Sequence, residues 1–421
     1  MGVAEPPTLP VASIGRYELW MLAQAALGFV AYGGIMFLIP LHVLAEGGTP
    51  GDTGSVVALI GLLGLAGPFI GSLADRFNAY RSLQITSLGL TALAALMFAF
   101  AREPLLWLVA AGLLGLGMSG TVVINTTFVV GAGFDHETQS GKLALLQLSL
   151  PAGQVLGLAA VSGLAAADLS IRTILVILGI AGLVFTVGVA FLNRAAAQRV
   201  VSAAAPTSHP DAQSTPRVSL RSVLLSQFGL VLALTFLVFA SSEAIESQYA
   251  SYMGAVFGID PEVSAAALSV IMLITIPLYL VAGRWTANSG PRIPFLVSAA
   301  ARAGAGFGLL LLPGSAWPVA LILFGITMFV FPLFELTAAV LVSQTSPIGQ
   351  GAAQGGSMAA YAMGSIVGAI VAGWMAEKYG FASLAWIVLV GAGAATAIGV
   401  ALLRSPRPDR PESALPLEPN R

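Results

Sequence analysis

The chain contains no cysteine, which excludes a disulfide framework, thiolate metal sites and cysteine nucleophiles. Charge is nearly as scarce. Asp, Glu, Lys and Arg make up 9% of the residues, against about 25% in an ordinary soluble domain. A chain of 421 residues cannot cover a water-facing surface with so few charges, so its solvent is lipid. The net charge is −1, with no basic run and no aromatic-basic interleaving, which argues against a nucleic-acid partner. No Gly-Lys-Ser/Thr phosphate loop is present, so ATP hydrolysis is not expected. His42, His136 and His209 are scattered without metal-ligand spacing, and neither a metal nor another cofactor is expected. Gly115, Gly117 and Gly120 spell a dinucleotide fingerprint. They lie inside an apolar stretch with no strand before them, so they read as helix packing. Asn125, Thr126 and Thr127 fit a glycosylation pattern but fall within the same stretch.

What is present is hydrophobic: 57% of residues, with a mean hydropathy of +0.90. A membrane-spanning helix needs about 20 predominantly apolar residues. Twelve such segments follow one another, which predicts an all-α membrane protein of twelve transmembrane helices in two six-helix bundles. The bundles are expected over residues 17–192 and 223–404. A polar tail precedes them at residues 1–16; it lacks a basic start and an apolar core, so no removable signal peptide is expected. An Ala-, Ser- and Pro-rich stretch at residues 193–222 reads as a flexible linker, and the proline-rich tail at residues 405–421 reads as disordered. The seventh segment runs from Val223 to about Tyr252.

With the N-terminus cytoplasmic, fourteen of the eighteen Lys and Arg residues fall on the cytoplasmic side: Arg16, Arg76, Arg81, Lys142, Arg194, Arg199, Arg217, Arg221, Arg284, Arg292, Arg404, Arg407, Arg410 and Arg421. Arg102, Arg172 and Lys378 fall outside, and Arg302 within a segment. This bias predicts both termini in the cytoplasm of a cell or inner membrane.

The halves repeat one another. Gly71 to Arg81 reads GSLADRFNAYR, and Gly283 to Arg292 reads GRWTANSGPR, at an offset of 212. Gly153 and Gly157 recur as Gly364 and Gly368, and Gln139 as Gln350, at an offset of 211. Two six-helix halves in parallel repeat are a transporter layout, with the substrate held where they meet near the bilayer midplane.

On these residues the chain resembles the major facilitator superfamily along nearly its whole length. The family's loop after the second helix has Gly, three residues, Asp, a basic residue, any residue, Gly, any residue and two basic residues. Here Gly71, Asp75, Arg76 and Arg81 are in place, while Asn78 stands for the Gly and Tyr80 for a basic residue. Asn tolerates left-handed backbone better than most residues, so the turn can survive. The second copy keeps Gly283, Gly290 and Arg292 but has Ala287 in place of the acid. The resemblance implies a gating role for Asp75. Its carboxylate would meet the N-terminus of the eleventh helix, near Gln354 to Gly356, only when the cytoplasmic side is closed. Such a charge–dipole contact contributes about 0.3–1 kcal/mol when exposed. The bland alternative is an ordinary charged cytoplasmic loop. In the fourth helix, where exporters of the family often have Arg and Gln, this chain has Ala111 and Leu114.

Acids inside a span cost about 2.5–3.5 kcal/mol on insertion scales, so those present call for a reason. Glu243 and Glu246 are three apart in the seventh helix and share a face, where they can bind a proton or a cation. Against that, a span ending at Tyr252 puts both in its outer, wet half. Glu335 in the tenth helix is the best single candidate for a buried titrating acid, and Arg302 in the ninth is either its kind of functional partner or half of a structural ion pair. Gln24, Tyr32, Asn125, Gln147, Gln154, Gln248, Tyr249 and Tyr361 are candidates for cavity lining, or equally for hydrogen-bonding glue between helices.

These observations point to a secondary active transporter, monomeric and lipid-embedded, that moves a small organic solute by alternating access with protons as the driving ion. Export is the favoured direction, and uptake by proton symport is the alternative. A membrane-embedded enzyme would need clustered His or paired acids at one face, and a receptor a sizeable soluble domain; the sequence has neither.

Overall fold

The computed structural model describes residues 17–203, 225–347 and 350–403. Among the described residues, twelve helices are long and apolar enough to cross a bilayer. They are Leu19–Ala45, Pro50–Phe77, Tyr80–Phe100, Pro104–Val130, Gly141–Ala166 and Ile171–Leu192 in the first half. In the second half they are Gln227–Glu246, Pro261–Ser289, Arg292–Leu311, Trp317–Thr345, Ala353–Tyr379 and Phe381–Leu402. Local chemistry sets their starts. Thr49 and Asp52 form a capping box ahead of the second span, with Pro50 at its first position. Ser170 and Ser226 cap the sixth and seventh. Pro104 and Pro261 open the fourth and eighth.

An even number of spans puts Tyr17 and Leu403 on one face, the termini side; the opposite face is the far side. On the termini side lie Arg76, Arg81, Lys142, Arg194, Arg199, Arg284 and Arg292, and on the far side Arg102, Arg172 and Lys378. Arg16, Arg217, Arg221, Arg404, Arg407, Arg410, Arg421 and His209 lie outside the described residues, as do both tails and residues 204–222 of the expected linker.

Each half is held by backbone packed on backbone. A Cβ on Gly153 would overlap the carbonyl oxygen of Ala25, and one on Gly157 that of Phe29, so the fifth span lies flush against the first. In the second half a Cβ on Gly364 would sit 2.9 Å from the oxygen of Phe236, and one on Gly368 would overlap that of Ala240. The two pairs of the first half recur in the second at an offset of 211, partners included, so the repeat in the sequence is a repeat of contacts. Small residues that let helices approach closely are the main glue where lipid removes the hydrophobic drive. Gly115, Gly117 and Gly120 serve the same end: their Cβ positions are filled by Ile60, Thr91 and Ser87.

The halves meet on the far side and part toward the termini. One core cluster joins Phe37, Val57 and Trp107 of the first half to Tyr249, Phe324 and Ala369 of the second. Toward the termini each half has its own cluster, one around Trp20, Tyr80 and Phe128, the other around Phe228, Phe295 and Phe334. Hydrogen bonds across the far half tie Gln248 to the Pro50 carbonyl (3.1 Å), Ser162 to that of Glu262 (2.8 Å) and Ser269 to that of Val155 (3.0 Å). The molecule is closed on the far side and open toward the termini.

Two expectations are corrected. The seventh span breaks at Ser247–Gln248 but resumes as Tyr249–Phe257, so it does not end near Tyr252. Glu243 and Glu246 therefore sit near the middle of the membrane path and not at an outer mouth. The stretch Arg194–Ala203, read as flexible linker, is a surface helix whose Ala196, Ala197 and Val200 pack on the first half. Its Arg199 and the Lys142 ammonium both pair with Glu18, Lys142 at 2.5 Å, and both lie over the Phe134 ring. Burial pushes the Glu18 carboxyl up, but hydrogen bonds from Arg199, Lys142 and Trp20 outweigh it and hold the pKa down at about 2.

Replacing Gly157 by Leu inserts a side chain where backbone lies, and we expect a loss of stability of at least about 1–3 kcal/mol. Gly163, whose Cβ position is open, should accept Leu with little change. Thermal unfolding in detergent distinguishes the two; equal melting temperatures would refute the packing argument. Because the Glu18 pKa is depressed, the stability it contributes is present above the ordinary carboxylate range and is lost only as pH falls through about 2. A spin label at exposed Ala195 should stay immobile from pH 8 to pH 4 in the parent protein and become mobile at pH 7 in Glu18→Gln. Loosening of the parent near pH 6 would contradict this.

Candidate functional site

In the second half Glu243, Glu246 and Glu335 lie close to breaks in their helices. The tenth span breaks at Val330, between Phe329 and Phe331, with Pro332 in the next turn. In the first span, Gly28–Ile35 is a π-helical stretch that brings round Tyr32; such bulges are frequent at functional sites.

Arg302, in the middle of the ninth span, is 1% exposed. It donates to the Ser242 hydroxyl and lies between two rings, Phe331 at 5.6 Å and Phe334 at 5.3 Å. Among the described residues it is not closed into an ion pair. Glu246 is the acid near enough to act on it electrostatically, yet Glu246 Oε1 and Arg302 Nε and Nη2 are buried without hydrogen-bond partners. Leaving a buried donor or acceptor unpaired costs about 1–3 kcal/mol, more for charged groups. A fold that leaves three such atoms together holds polar capacity for something else. The Tyr361 hydroxyl, beside them, is a fourth.

The interactions continue on both sides. Glu243 lies beside Glu246 and Ser365, and its charge reaches Tyr32 of the first half. On the other flank Tyr361 interacts with both Arg302 and Glu335, and Glu335 accepts a hydrogen bond of 2.7 Å from Tyr279 of the eighth span. Glu335, Tyr361, Arg302, Glu246, Glu243 and Tyr32 thus form a continuous series of interacting groups that crosses from one half to the other. Glu243, Glu246 and Glu335 are half-buried. Phe239 stacks edge-on with Tyr361 at 5.0 Å, which gives the series an aromatic wall.

The remaining candidates serve elsewhere. Gln24 and Asn125 do not line a cavity; they are 2% and 0% exposed. Asn125 donates to Gln24 (2.7 Å) and accepts from Gln84 (2.5 Å), which in turn accepts from Asn193 (2.8 Å). Arg81 donates to Asn193 (3.3 Å) and to the Ala190 carbonyl (2.8 Å). A buried polar chain therefore runs from the first span through the fourth, third and sixth to the loop of Asp75. Gln84 and Asn193 were missed by sequence reading; each is an amide in or at the end of an apolar span, which was the available signal. Gln248 and Tyr249 belong to the far-side seal. The Tyr249 hydroxyl donates to the Ser264 carbonyl (3.2 Å) and its ring packs on Phe324 at 4.3 Å and on Phe37 at 6.3 Å. Gln154 lends its backbone to the contact with Gly28 and Gly33, and Gln147 is exposed.

In the loop after the second span, Asn78 has φ 50° and ψ 35°, the left-handed turn that the family's Gly would take. Tyr80 donates to Asp75 at 2.8 Å. Gly71 leaves room beside Val123, and Arg76 stacks on Phe77 at 5.4 Å. Arg292, the counterpart of Arg81, donates to the Val400 carbonyl at 3.4 Å as Arg81 does to Ala190. Each arginine thus caps the last helix of its own half. Gln354, near the start of the eleventh helix, faces the Ala339 carbonyl at 3.5 Å. The side chain of Gln350 lies outside the described residues.

Two six-helix halves, sealed on one side and carrying buried ionisable groups where they meet, define a membrane transporter and not an enzyme. The chain belongs to the Major Facilitator Superfamily, whose family profile matches residues 21–347 and again 231–418. Solved structures of the same fold include the nucleoside transporter NupG, at 16% identity and TM-score 0.70, covering 91% of this chain and 96% of that one. A D-xylose-proton symporter matches at 14% identity and TM-score 0.68, covering 92% and 97%. A bacterial homolog of the human lysosomal transporter Spinster, in an inward-facing and occupied conformation, matches at 14% and 0.65, covering 91% and 93%. A comparison with curated proteins finds no match.

Proposed function

We propose that this chain is a proton-coupled secondary transporter that exports a small organic solute by alternating access, working as a monomer in the cell membrane with both termini cytoplasmic. The observation that carries the proposal is the series from Glu335 to Tyr32. It sets three acids against one arginine, leaves buried polar atoms of Glu246, Arg302 and Tyr361 unpaired, and spans the seam between the halves. A group that can be charged or neutral in the membrane is the usual basis of proton coupling. Here protonation of an acid changes the net charge of a site that a solute also fills.

Export is supported by charge and by orientation. An acid-rich, aromatic-walled site suits a solute that carries positive charge, and such a solute competes with protons for the same carboxylates. Competition of that kind is exchange. With Lys and Arg concentrated on the termini side, the open side faces the cytoplasm, where an exporter loads. Uptake by symport would use the same two states in reverse, as the fold it shares with a D-xylose-proton symporter allows.

Asp75 sets the balance between the states in this proposal. With the termini side open it is engaged by Tyr80; on closure it would reach the N-terminus of the eleventh helix, where no acid of the first turn competes.

In proteoliposomes, Glu335→Gln should abolish the pH-driven component of flux while the purified protein keeps its melting temperature. Undiminished pH-driven transport would end the role given to Glu335. The polarity of the gradient that drives accumulation decides between export and uptake. Asp75→Asn should lower the population closed on the termini side by about two- to five-fold, the ratio that 0.3–1 kcal/mol corresponds to. Inter-half distances that match the parent would leave Asp75 as an ordinary loop charge.

A further inference from the structure

The far-side seal contains a carboxylate that the transport mechanism above does not use. Glu377 stands near the end of the eleventh span, on the second half, and reaches across to the start of the second span, on the first. Its Oε2 accepts a hydrogen bond from the Thr49 hydroxyl at 3.1 Å. Thr49 is the N-cap of that span: its backbone N–H donates to the Asp52 carboxylate and its hydroxyl oxygen accepts from the Asp52 N–H, which leaves the hydroxyl proton for Glu377. The Glu377 carboxylate lies so close to the first turn that a Cβ on Gly51 would overlap Oε2. Gly51 is not needed for an unusual backbone, since its φ is not positive. What its lack of a side chain provides is room for the acid.

Around this contact the two halves touch through backbone. A Cβ on Gly373 would sit 2.6 Å from the Pro50 carbonyl oxygen, and one on Gly54 would overlap that of Ala369. Lys378, the neighbouring cation, lies over the Trp374 ring at 5.1 Å and the Tyr379 ring at 5.4 Å. Among the described residues it forms no ion pair with Glu377. The carboxylate is thus held at a helix start of the other half by the Thr49 hydroxyl, a charge-assisted hydrogen bond, while Asp52 already serves the N–H groups of that start.

We propose that Glu377 is a state-setting residue: a far-side latch that holds the molecule closed on that face through Thr49 and the first turn at Gly51, and that must release for the far side to open. The latch rests on the alternating-access reading. It is the far-side counterpart of the part proposed for Asp75, with the direction reversed: the first half lends an acid to the eleventh helix on the termini side, and the eleventh helix lends one to the second helix on the far side. The two contacts cannot both form in one state of a rocking pair, so together they give each state its own fastening.

The chain holds no cysteine, so paired spin labels can be placed without background. One pair, Glu103→Cys with Ser315→Cys, spans the far face; another, Ser82→Cys with Asn288→Cys, spans the termini face. All four positions are exposed. In liposomes, Glu377→Gln, which replaces a charge-assisted hydrogen bond by a neutral one, should raise the far-open population by about two- to five-fold, with longer far-face and shorter termini-face distances, and Glu377→Lys should raise it further. Gly51→Ala should act like Glu377→Gln, because its methyl group displaces the carboxylate while favouring the helix itself. Asp168→Asn removes another exposed far-face acid, at φ 59°, which Asn also tolerates, and should change nothing. If the parent shows two populations and these variants leave them unmoved, the latch is wrong and alternating access stands. A shift in Asp168→Asn equal to that in Glu377→Gln overturns the latch as well, since surface charge alone would then account for it. A single unmoved population in the parent and every variant overturns the latch and the alternating-access reading together.

Discussion

The structure depends on backbone meeting backbone at glycine. In lipid the hydrophobic effect does not drive helices together, and close approach with its dense van der Waals contact has to serve instead. Gly153 and Gly157 give the first half that contact, and Gly364 and Gly368 give it to the second, with partners Ala25, Phe29, Phe236 and Ala240 at the same offset. The result is two tight pairs, the first span with the fifth and the seventh with the eleventh. Each half can then move as a body, which alternating access by rocking requires. The same device, at Gly54 and Gly373, makes the seam between halves on the far side. There, however, it is confined to one end of the spans. Permanent contact runs along a helix within a half, while the contact that has to be broken occupies only its far end.

Polar groups divide along the same line. In the first half, Gln24, Asn125, Gln84, Asn193 and Arg81 close a chain in which each amide supplies a partner for the next. A satisfied network of this kind rigidifies, and this one ends at the loop of Asp75, tying that loop to the body of its half. In the second half, Glu246, Arg302 and Tyr361 keep unpaired atoms. The contrast separates glue from site more firmly than residue type does, since an Asn or Gln in a span is an equal candidate for either role.

Much of this was legible in sequence. Hydropathy gave the twelve spans because lipid imposes a length on every one. The repeat was legible from Gly153, Gly157, Gly364 and Gly368, and the left-handed turn at Asn78 from the family pattern. Misreadings arose where composition and structure part. The run Ser247, Gln248, Tyr249 looks like the end of a span, yet Tyr249–Phe257 continues the path because the far-side seal buries those polar side chains against Pro50 and Ser264. Arg194–Ala203 is rich in Ala, Arg and Gln, all strong helix formers, and Ala196, Ala197 and Val200 share a face; its position before a Pro- and Ser-rich stretch concealed this. Which of several polar residues meet was never legible, because no spacing along one helix reveals what another helix brings to it. Glu377 is the clearest instance, an exposed acid at the end of a span whose meaning lies in Thr49 and Gly51, more than three hundred residues away.

The inequality of the two halves has a physical reading. The loop after the second span carries Asp75, and the loop after the eighth has Ala287 at the corresponding place. In a symmetric pair each acid would serve the helix that starts opposite it, the eleventh for the first loop and the fifth for the second. Those two helix starts differ. The fifth helix, His136–Ala166, brings its own acid: Asp135 caps it and accepts from the Thr138 N–H at 3.0 Å. The first turn of the eleventh has none. A helix start whose N–H groups already face a carboxylate gains little from a second through the dipole. An acid at Ala287 would thus add little to closure of the termini side, whereas Asp75, in the role proposed for it, would meet a helix start with no acid of its own. The second half has Ala287, and no acid, at the place whose partner helix start already carries one. Its ionisable groups away from the span ends, Glu243, Glu246, Arg302 and Glu335, lie at the depth where the two halves part.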